Sequence, residues 1–291
     1  MLRQVCNEIQ IGTCVNKLTA MKRILVPTDF SESAYAAAEV AADIAKRTEA
    51  RVYLLHVVNL LEYGDEDEIS KQLFVMRLVR QRMQKMINQK FFEGVNVVEV
   101  LQFDLIHETI TKLADKHEID LIVMGSHGAS GIKELIYGSN AQKILRRSKC
   151  PVLTIKSVPK NLEFKNIVFA SSFDSEVETA FLAVQRFSEI YKAQLHMLRV
   201  CTVSDFESTK VSNEKMHALA LATGLTKYTA NVYNDNTLES GISEFSKLVD
   251  ADFAAIATHG RDGILHILMG SRTEELVNHQ KIPILSMRIQ D

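Results

Sequence analysis

Cysteine is scarce in this sequence and shows no pairing pattern. The four, Cys6, Cys14, Cys150 and Cys201, form no CxxC motif, which argues against a zinc site and against a thioredoxin-type redox pair. Scattered single cysteines suit a reducing, cytoplasmic compartment, where they act as small hydrophobes. A basic excess is missing too. The chain carries 34 basic and 36 acidic residues, a formal charge of −2. Neutralising nucleic-acid phosphates needs such an excess, so no nucleic-acid partner is expected. No apolar run reaches the ~18 residues of a membrane helix, and no membrane partner is expected either. The nine histidines show no HExxH or similar ligand spacing, so no metal site is expected. A GxSxG nucleophile elbow is absent as well.

What is present is ordinary for a globular chain: 291 residues, 46% hydrophobic and 24% charged. Length alone suggests about two domains of roughly 140 residues, each able to bury its own core. Residues 1–20 lack a basic segment followed by a long apolar one and make a poor signal peptide. Met21 directly precedes the first strong strand, so residues 1–20 read as a disordered or mis-called extension.

The remainder repeats. KRILVPTDFSESAYAA from Lys22 recurs as KNIVFASSFDSEVETA from Lys165, and ARVYLLHVV from Ala50 as AQLHMLRVC from Ala193, both at an offset of 143. Further on, DLIVMGSHG from Asp120 recurs as DFAAIATHG from Asp252, and CPVLTIK as IPILSMR, at an offset of 132. The second copy has therefore lost 11 residues between its second and third strands. The copies are expected at residues 21–157 and 158–291.

Within the first copy, short apolar runs read as buried strands at Ile24–Val26, Val52–Val58, Val95–Leu101, Leu121–Met124 and Val152–Ile155. Helical patterns fill Ala34–Arg47, Ile69–Lys90, Ile106–His117 and Ser139–Arg147. Asp65–Glu68 reads as a loop and helix start that suits the helix dipole. Arg77, Arg80, Arg82 and Lys85 on the long helix read as a solvated basic face over an apolar stripe. Alternation of strand and helix implies an α/β fold: two tandem Rossmann-like domains. Each is a mostly parallel five-stranded sheet with helices on both faces. Ligands in such sheets bind beyond the strands' carboxyl ends.

The strongest constellation lies there. In GSHGASGIKELIYGSN from Gly125, Gly125 and Gly128 let the backbone approach phosphate oxygens and adopt positive φ. Gly138 and Ser139 open the next helix, whose free N–H groups and dipole favour an anion. No lysine follows the glycine, so this is not a Walker A loop. Backbone amides would do most of the holding.

These residues resemble the universal stress protein family, whose nucleotide-binding members carry Gly-x-x-Gly, nine residues, then Gly-Ser or Gly-Thr. ILVPTDFS is similar to the family's first strand and loop, and PVLTIK to its last strand. The resemblance covers the chain from Met21 onward. It implies that Pro27, Thr28 and Asp29 meet adenine and ribose, with the Asp29 carboxylate on the ribose hydroxyls. Backbone groups at Val57 would read the adenine edge, and Met124 would pack on the nucleoside. Gly125, Gly128, Gly138, Ser139 and Asn140 would surround the phosphates. Asp29 also fits a plain N-cap of the alanine-rich helix. His127, and His259 in the same place of the second copy, contact the phosphates or pack, rather than catalyse.

The second copy departs from the pattern: Ser172 stands for Asp29, Ala170 for Pro27 and Ala257 for Gly125, while Gly260, Gly270 and Ser271 remain. A degenerate site is expected, to which Arg261 adds phosphate affinity. The expected ligand is ATP or AMP, with or without Mg²⁺ held by Asp29 or Ser139. The expected role is a stress-response or signalling module acting on a protein partner that the sequence does not identify. A slow ATP hydrolase and a structural tandem without nucleotide are the alternatives. No catalytic residue is identifiable for the former. Finally, the last strand of each copy, Val152–Ile155 and Ile284–Met287, is an apolar edge that needs a cover. In the resembled family this strand pairs across a two-fold interface. The two are expected to pair antiparallel as a pseudo-dimer within one chain, joining the sheets back to back and burying Leu153 and Leu285. A further homodimer through the helix at 69–90 is left open.

Overall fold

The computed structural model describes residues 21–58, 68–103, 105–126, 139–159, 162–174, 177–259 and 282–289. Residues 1–20 and the glycine-rich loops at 127–138 and 260–281 lie outside them.

The first half contains β1 (Arg23–Pro27), α1 (Glu32–Thr48), β2 (Arg51–Val58), α2 (Glu68–Ile87), β3 (Val97–Phe103), α3 (Ile106–Lys116), β4 (Leu121–Gly125), α4 (Ser139–Arg147) and β5 (Val152–Ile155). The second repeats the plan with β6 (Asn166–Ala170), α5 (Glu178–Tyr191), β7 (Gln194–Cys201), α6 (Thr209–Thr223), β8 (Tyr228–Asn234), α7 (Leu238–Leu248), β9 (Phe253–His259) and β10 (Ile284–Ile289). The eleven lost residues fall where α2 has 20 residues and α6 has 15.

The short apolar runs became strands because both of their faces are covered. Ile24, Leu25, Val26, Val52, Leu54 and Leu55 are all fully buried. Alanines at 36, 37, 38, 41, 42 and 45 form the buried side of α1, and their small size lets that helix lie close to the sheet. The base of each half is tied by one carboxylate. Asp120 Oδ2 accepts the N–H groups of Lys22 and Arg23 at 2.8 and 2.9 Å. Asp252 Oδ2 accepts those of Lys165 and Asn166 at 2.6 and 2.8 Å.

The ten strands form one sheet in the order β3-β2-β1-β4-β5-β10-β9-β6-β7-β8. Every pairing is parallel except the central one. There β5 meets β10 antiparallel, with Leu153 opposite Leu285 and Thr154 opposite Ile284, and Leu153 and Leu285 fully buried. The two final strands therefore pair as expected, but the sheets join edge to edge, not back to back. Edge pairing satisfies a full ladder of backbone groups, which a face-to-face packing leaves unpaired.

One face of this sheet carries a single hydrophobic cluster running through both halves, from Ile24 and Ala41 across Leu153 and Leu285 to Phe169 and Phe253. The other face holds a separate cluster under each half, and Ile284 touches both. On the shared face the halves also meet through side chains. Tyr191 of α5 donates its hydroxyl to Asp43 of α1 at 2.8 Å, and Arg47 lies 4.6 Å over the Tyr191 ring. Arg47 also bonds Asp43 at 2.9 Å.

A core shared across the seam makes the halves one cooperative unit. Leu285→Ala is expected to cost about 2–5 kcal/mol, the range for a buried leucine truncated in place. Urea unfolding followed by probes in each half should shift as one transition. Two separate transitions would contradict the shared core.

Candidate functional site

In the first half β1 lies between β2 and β4, and the chain runs outward from it in both directions. The strand order reverses there, so a crevice opens beyond the carboxyl ends of β1 and β4, the place where open α/β sheets hold ligands. Beyond β1 stand Thr28 and Asp29. Beside them, Met124 and Gly125 end β4, and Ser126 follows, buried, with its N–H on the Ile155 carbonyl at 2.9 Å. The flank toward β2 is formed by Val57, half-buried and packed with Met124 over the first half's own cluster. After the loop that follows β4, α4 begins at Ser139. The structure thus places Pro27, Thr28, Asp29, Val57, Met124 and Gly125 at or just beyond the carboxyl ends of the adjacent strands β2, β1 and β4. His127, Gly128 and Gly138 lie outside the described residues.

The loop after β1 holds itself in shape. Thr28 Oγ1 accepts the Phe30 N–H at 3.0 Å, and Asp29 Oδ1 accepts the Ser31 N–H at 3.0 Å. Both are the local side-chain turns that threonine and aspartate favour. The helix cap itself is Ser31, in extended backbone, accepting from Ala34 N–H. Asp29 therefore does not cap α1.

Gly125 differs from its expected use. Among the described glycines, positive φ occurs only at Gly94 and Gly224. A Cβ at Gly125 would come within 2.9 Å of the Ser33 backbone carbonyl carbon, and closer still to its hydroxyl. Glycine is required here because α1 starts directly against the end of β4.

Two residues missed in the sequence, Phe30 and His56, support the loop after β1, with Phe30 packed on the cluster shared by both halves and not on the one beneath Val57 and Met124. Phe30 sits at φ 63°, a conformation uncommon for a bulky residue and costing about 1–3 kcal/mol. Its ring stacks on His56 at 4.7 Å between centroids. The Arg82 guanidinium of α2 lies 5.9 Å from the centre of the same ring. His56 Nδ1 lies 2.7 Å from the Thr28 carbonyl oxygen, so Nδ1 carries the proton and donates. Burial pushes the His56 imidazole below its ordinary value. The Thr28 carbonyl and Asp29 oppose that shift, and Arg82 adds to it. A signal was available: Phe173 holds Phe30's place in the repeat, again at positive φ, 60°.

The second half builds the same loop with other chemistry. Ser171 Oγ accepts the Phe173 N–H at 3.2 Å, and Ser172 takes the position of Asp29. Arg199 replaces His56, its side chain 7% exposed and bonded to Asp205 at 2.9 Å. Lys215 of α6 bridges Asp174 at 3.0 Å and Glu207 at 2.6 Å. Burial works against the Asp174 charge, but the Ser172 hydroxyl and Lys215 outweigh it and hold that carboxyl below its usual range. Asp174 is thus engaged by Lys215 and does not stand in for Asp29. Among the described residues no group of histidines, cysteines and carboxylates is arranged to hold a metal. No helix there is long and apolar enough to cross a membrane.

A doubled Rossmann-like α/β unit with its crevice at the β1–β4 switch point places the chain in a defined class. The model of the universal stress protein family matches residues 21–156 and again 163–288; the chain belongs to that family, as a tandem member. A universal stress protein of Methanocaldococcus jannaschii is 33% identical over 153 residues, 46% of this chain and 94% of that one. A second from the same organism is 33% identical over 153 residues, 48% and 84% of the respective chains. The crystal structure of a universal stress protein from Archaeoglobus fulgidus covers 93% of this chain and 99% of its own, with a TM-score of 0.69 and 21% identity; that likeness concerns the fold.

Two outcomes follow from this geometry. Gly125→Ala is expected to destabilise by about 1–3 kcal/mol, as overpacking does. Adding Ser33→Gly should not restore it, because the clash includes backbone; full rescue would show that only the hydroxyl matters. Separately, the folded state binds the His56 proton less readily than the unfolded chain, whose value is near 6.5. The stability this contributes is complete above that pH and is lost as pH falls through the folded value. His56→Gln, which keeps a donor for the Thr28 carbonyl, should flatten the stability–pH curve below pH 6.5. An unchanged slope would remove His56 from the account.

Proposed function

We propose that this protein binds an adenine nucleotide, ATP or AMP, in the crevice of its first half and acts as a stress-response or signalling module whose partners read the bound state. One observation carries the reading. Thr28–Asp29 and Met124–Gly125 adjoin at the switch point of the first half, while the second half carries Ser172 and Ala257 at the matching positions and an ion-paired Arg199 beside them.

In this reading the Asp29 carboxylate accepts the ribose hydroxyls, a charge-assisted pairing stronger than a neutral one. Its backbone-facing oxygen already takes the Ser31 N–H, which fixes the rotamer before ligand arrives. Backbone groups at Val57 meet the adenine edge, and Met124 gives an apolar floor. Gly125, Gly128, Gly138, Ser139 and Asn140 surround the phosphates, with His127 in contact, and the start of α4 favours negative charge. Mg²⁺, when bound with a triphosphate, offsets phosphate charge, and Asp29 and Ser139 are the residues offered for it.

Calorimetric titration of ATP and AMP tests this. Asp29→Ala should weaken binding about ten-fold or more, the scale of hydrogen bonds to a charged group. Ser172→Ala should leave it unchanged. Gly128→Val should block binding and Gly260→Val should not. Equal losses from both halves would overturn the asymmetry. Robust ATP turnover that vanishes in His127→Ala would favour the hydrolase reading instead.

A further inference from the structure

The sheet ends on one side at β3, and that end is unusually open. Its seven residues, VVEVLQF, carry a single charge, and among the described residues no strand pairs with its outer edge. Open edges are normally blunted by lysine, proline or a bulge. The opposite end is more polar: β8 carries Thr229, Asn231 and Asn234. In the β2–β3 pairing the Asn96 carbonyl turns toward β2 and accepts the Val52 N–H at 2.9 Å. Backbone groups alternate along a strand. Those of Val97, Glu99 and Leu101 therefore point away from β2, into the open.

Above this edge runs α2. Leu73, Arg77, Arg80 and Gln84 are spaced four, three and four residues apart, one stripe of the helix, and all are exposed. Arg80 and Gln84 face Glu99 and Leu101 across a groove of about 490 Å³. Glu99 is held by the Gln84 amide at 2.8 Å. Neither Arg77 nor Arg80 has an ion-pair partner among the described residues. The groove thus joins a free backbone edge to the Arg80 guanidinium, with Arg77 one turn back on the same stripe, while Glu99, its one carboxylate, is engaged by Gln84.

We propose that this edge is a docking site for an extended acidic segment of a partner protein, which adds to the sheet as an eleventh strand beside β3. Backbone recognition favours a peptide over a phosphate polymer or a lipid surface, because only another peptide supplies the ladder of donors and acceptors. Its alternate side chains would turn toward α2, where Arg77 and Arg80 favour glutamate or aspartate. The others would turn to the opposite face, where Val98 and Val100 pack on the first half's cluster and favour apolar groups. The fitting sequence therefore alternates acidic and apolar residues. A second copy of this chain fits poorly. Pairing β3 with β3 would bring two α2 stripes together, arginine against arginine.

The probe is a capped peptide of roughly ten residues alternating valine and glutamate, a length matched to a strand. Its control alternates valine and lysine. With the full chain, amide exchange at Glu99 and Leu101 should be fast in the free protein and slow about ten-fold at saturating peptide. The glutamate peptide should bind at least about ten-fold tighter than the lysine peptide, and R77E/R80E should reverse that order. Glu99→Pro removes an outward N–H together with a negative charge. Loss of binding in that variant, despite the more positive groove, identifies strand addition. Four results would overturn the proposal. They are equal binding of the two peptides, undiminished binding by Glu99→Pro, edge amides protected by concentration-dependent self-association, and anionic vesicles engaging α2 where the peptide does not.

Discussion

The structure depends on the antiparallel pairing of β5 with β10. Each half ends on a short apolar strand whose outer edge cannot be left to water, and each supplies what the other lacks. Leu153 against Leu285 is the centre of that exchange. The consequence is that the two sheets are continuous, with one core face common to both and the opposite face divided. Both sheet edges that remain open, β3 and β8, are thereby pushed to the far ends of the molecule. The crevices at the carboxyl ends of β1 and β6 stay clear of the seam. The seam strands are antiparallel, so the two crevices open toward opposite ends of the sheet.

Much of this was legible because the signals were local and strong. α4 and β5 fall on the residues that the periodicity indicates, Ser139–Arg147 and Val152–Ile155. The seam was expected from the resemblance, in whose family the last strand pairs across a two-fold interface, joined to the presence of two such apolar edges on one chain. Other boundaries moved for reasons a pattern does not carry. The long helix expected to reach Lys90 stops at Ile87, and a turn of 3₁₀ helix occupies Lys90–Phe92. Gly94 then turns the chain at φ 79°. Together these push β3 from its expected start at Val95 to Val97. In α1 the start moved the other way, to Glu32, because Ser31 is the cap.

The candidate site was legible in its positions and less so in its causes. Thr28, Asp29, Val57, Met124 and Gly125 do lie together at the switch point. Yet Gly125 is dictated by the approach of Ser33, a contact across ninety-odd residues that no local rule exposes. Phe30 and His56 escaped notice because a left-handed phenylalanine has no propensity signature. Tertiary contact with His56, Arg82 and the shared core holds it there, together with the bond from its own N–H to Thr28. The recurrence of phenylalanine at position 173 was the one available hint.

Comparing the halves separates the constraints of the fold from those of a ligand. The base clamp recurs at Asp120 and Asp252, and so do the left-handed phenylalanines and the seam strands. All of them act inside the sheet or its loops and need no bound molecule. Among the differences are three at the strand ends: Asp29 against Ser172, His56 against Arg199, Gly125 against Ala257. In the second half the cations there are already matched by the chain's own carboxylates, Asp205 beside Arg199 and Asp174 with Glu207 around Lys215. A ligand phosphate would have to displace those pairs or approach three carboxylates. In the first half the Arg82 guanidinium lies over the Phe30 ring instead. Once two copies share one core, the second can keep the fold through its clamp and seam while its crevice closes on itself. Divergence at the mouth of one half then leaves the shared sheet intact.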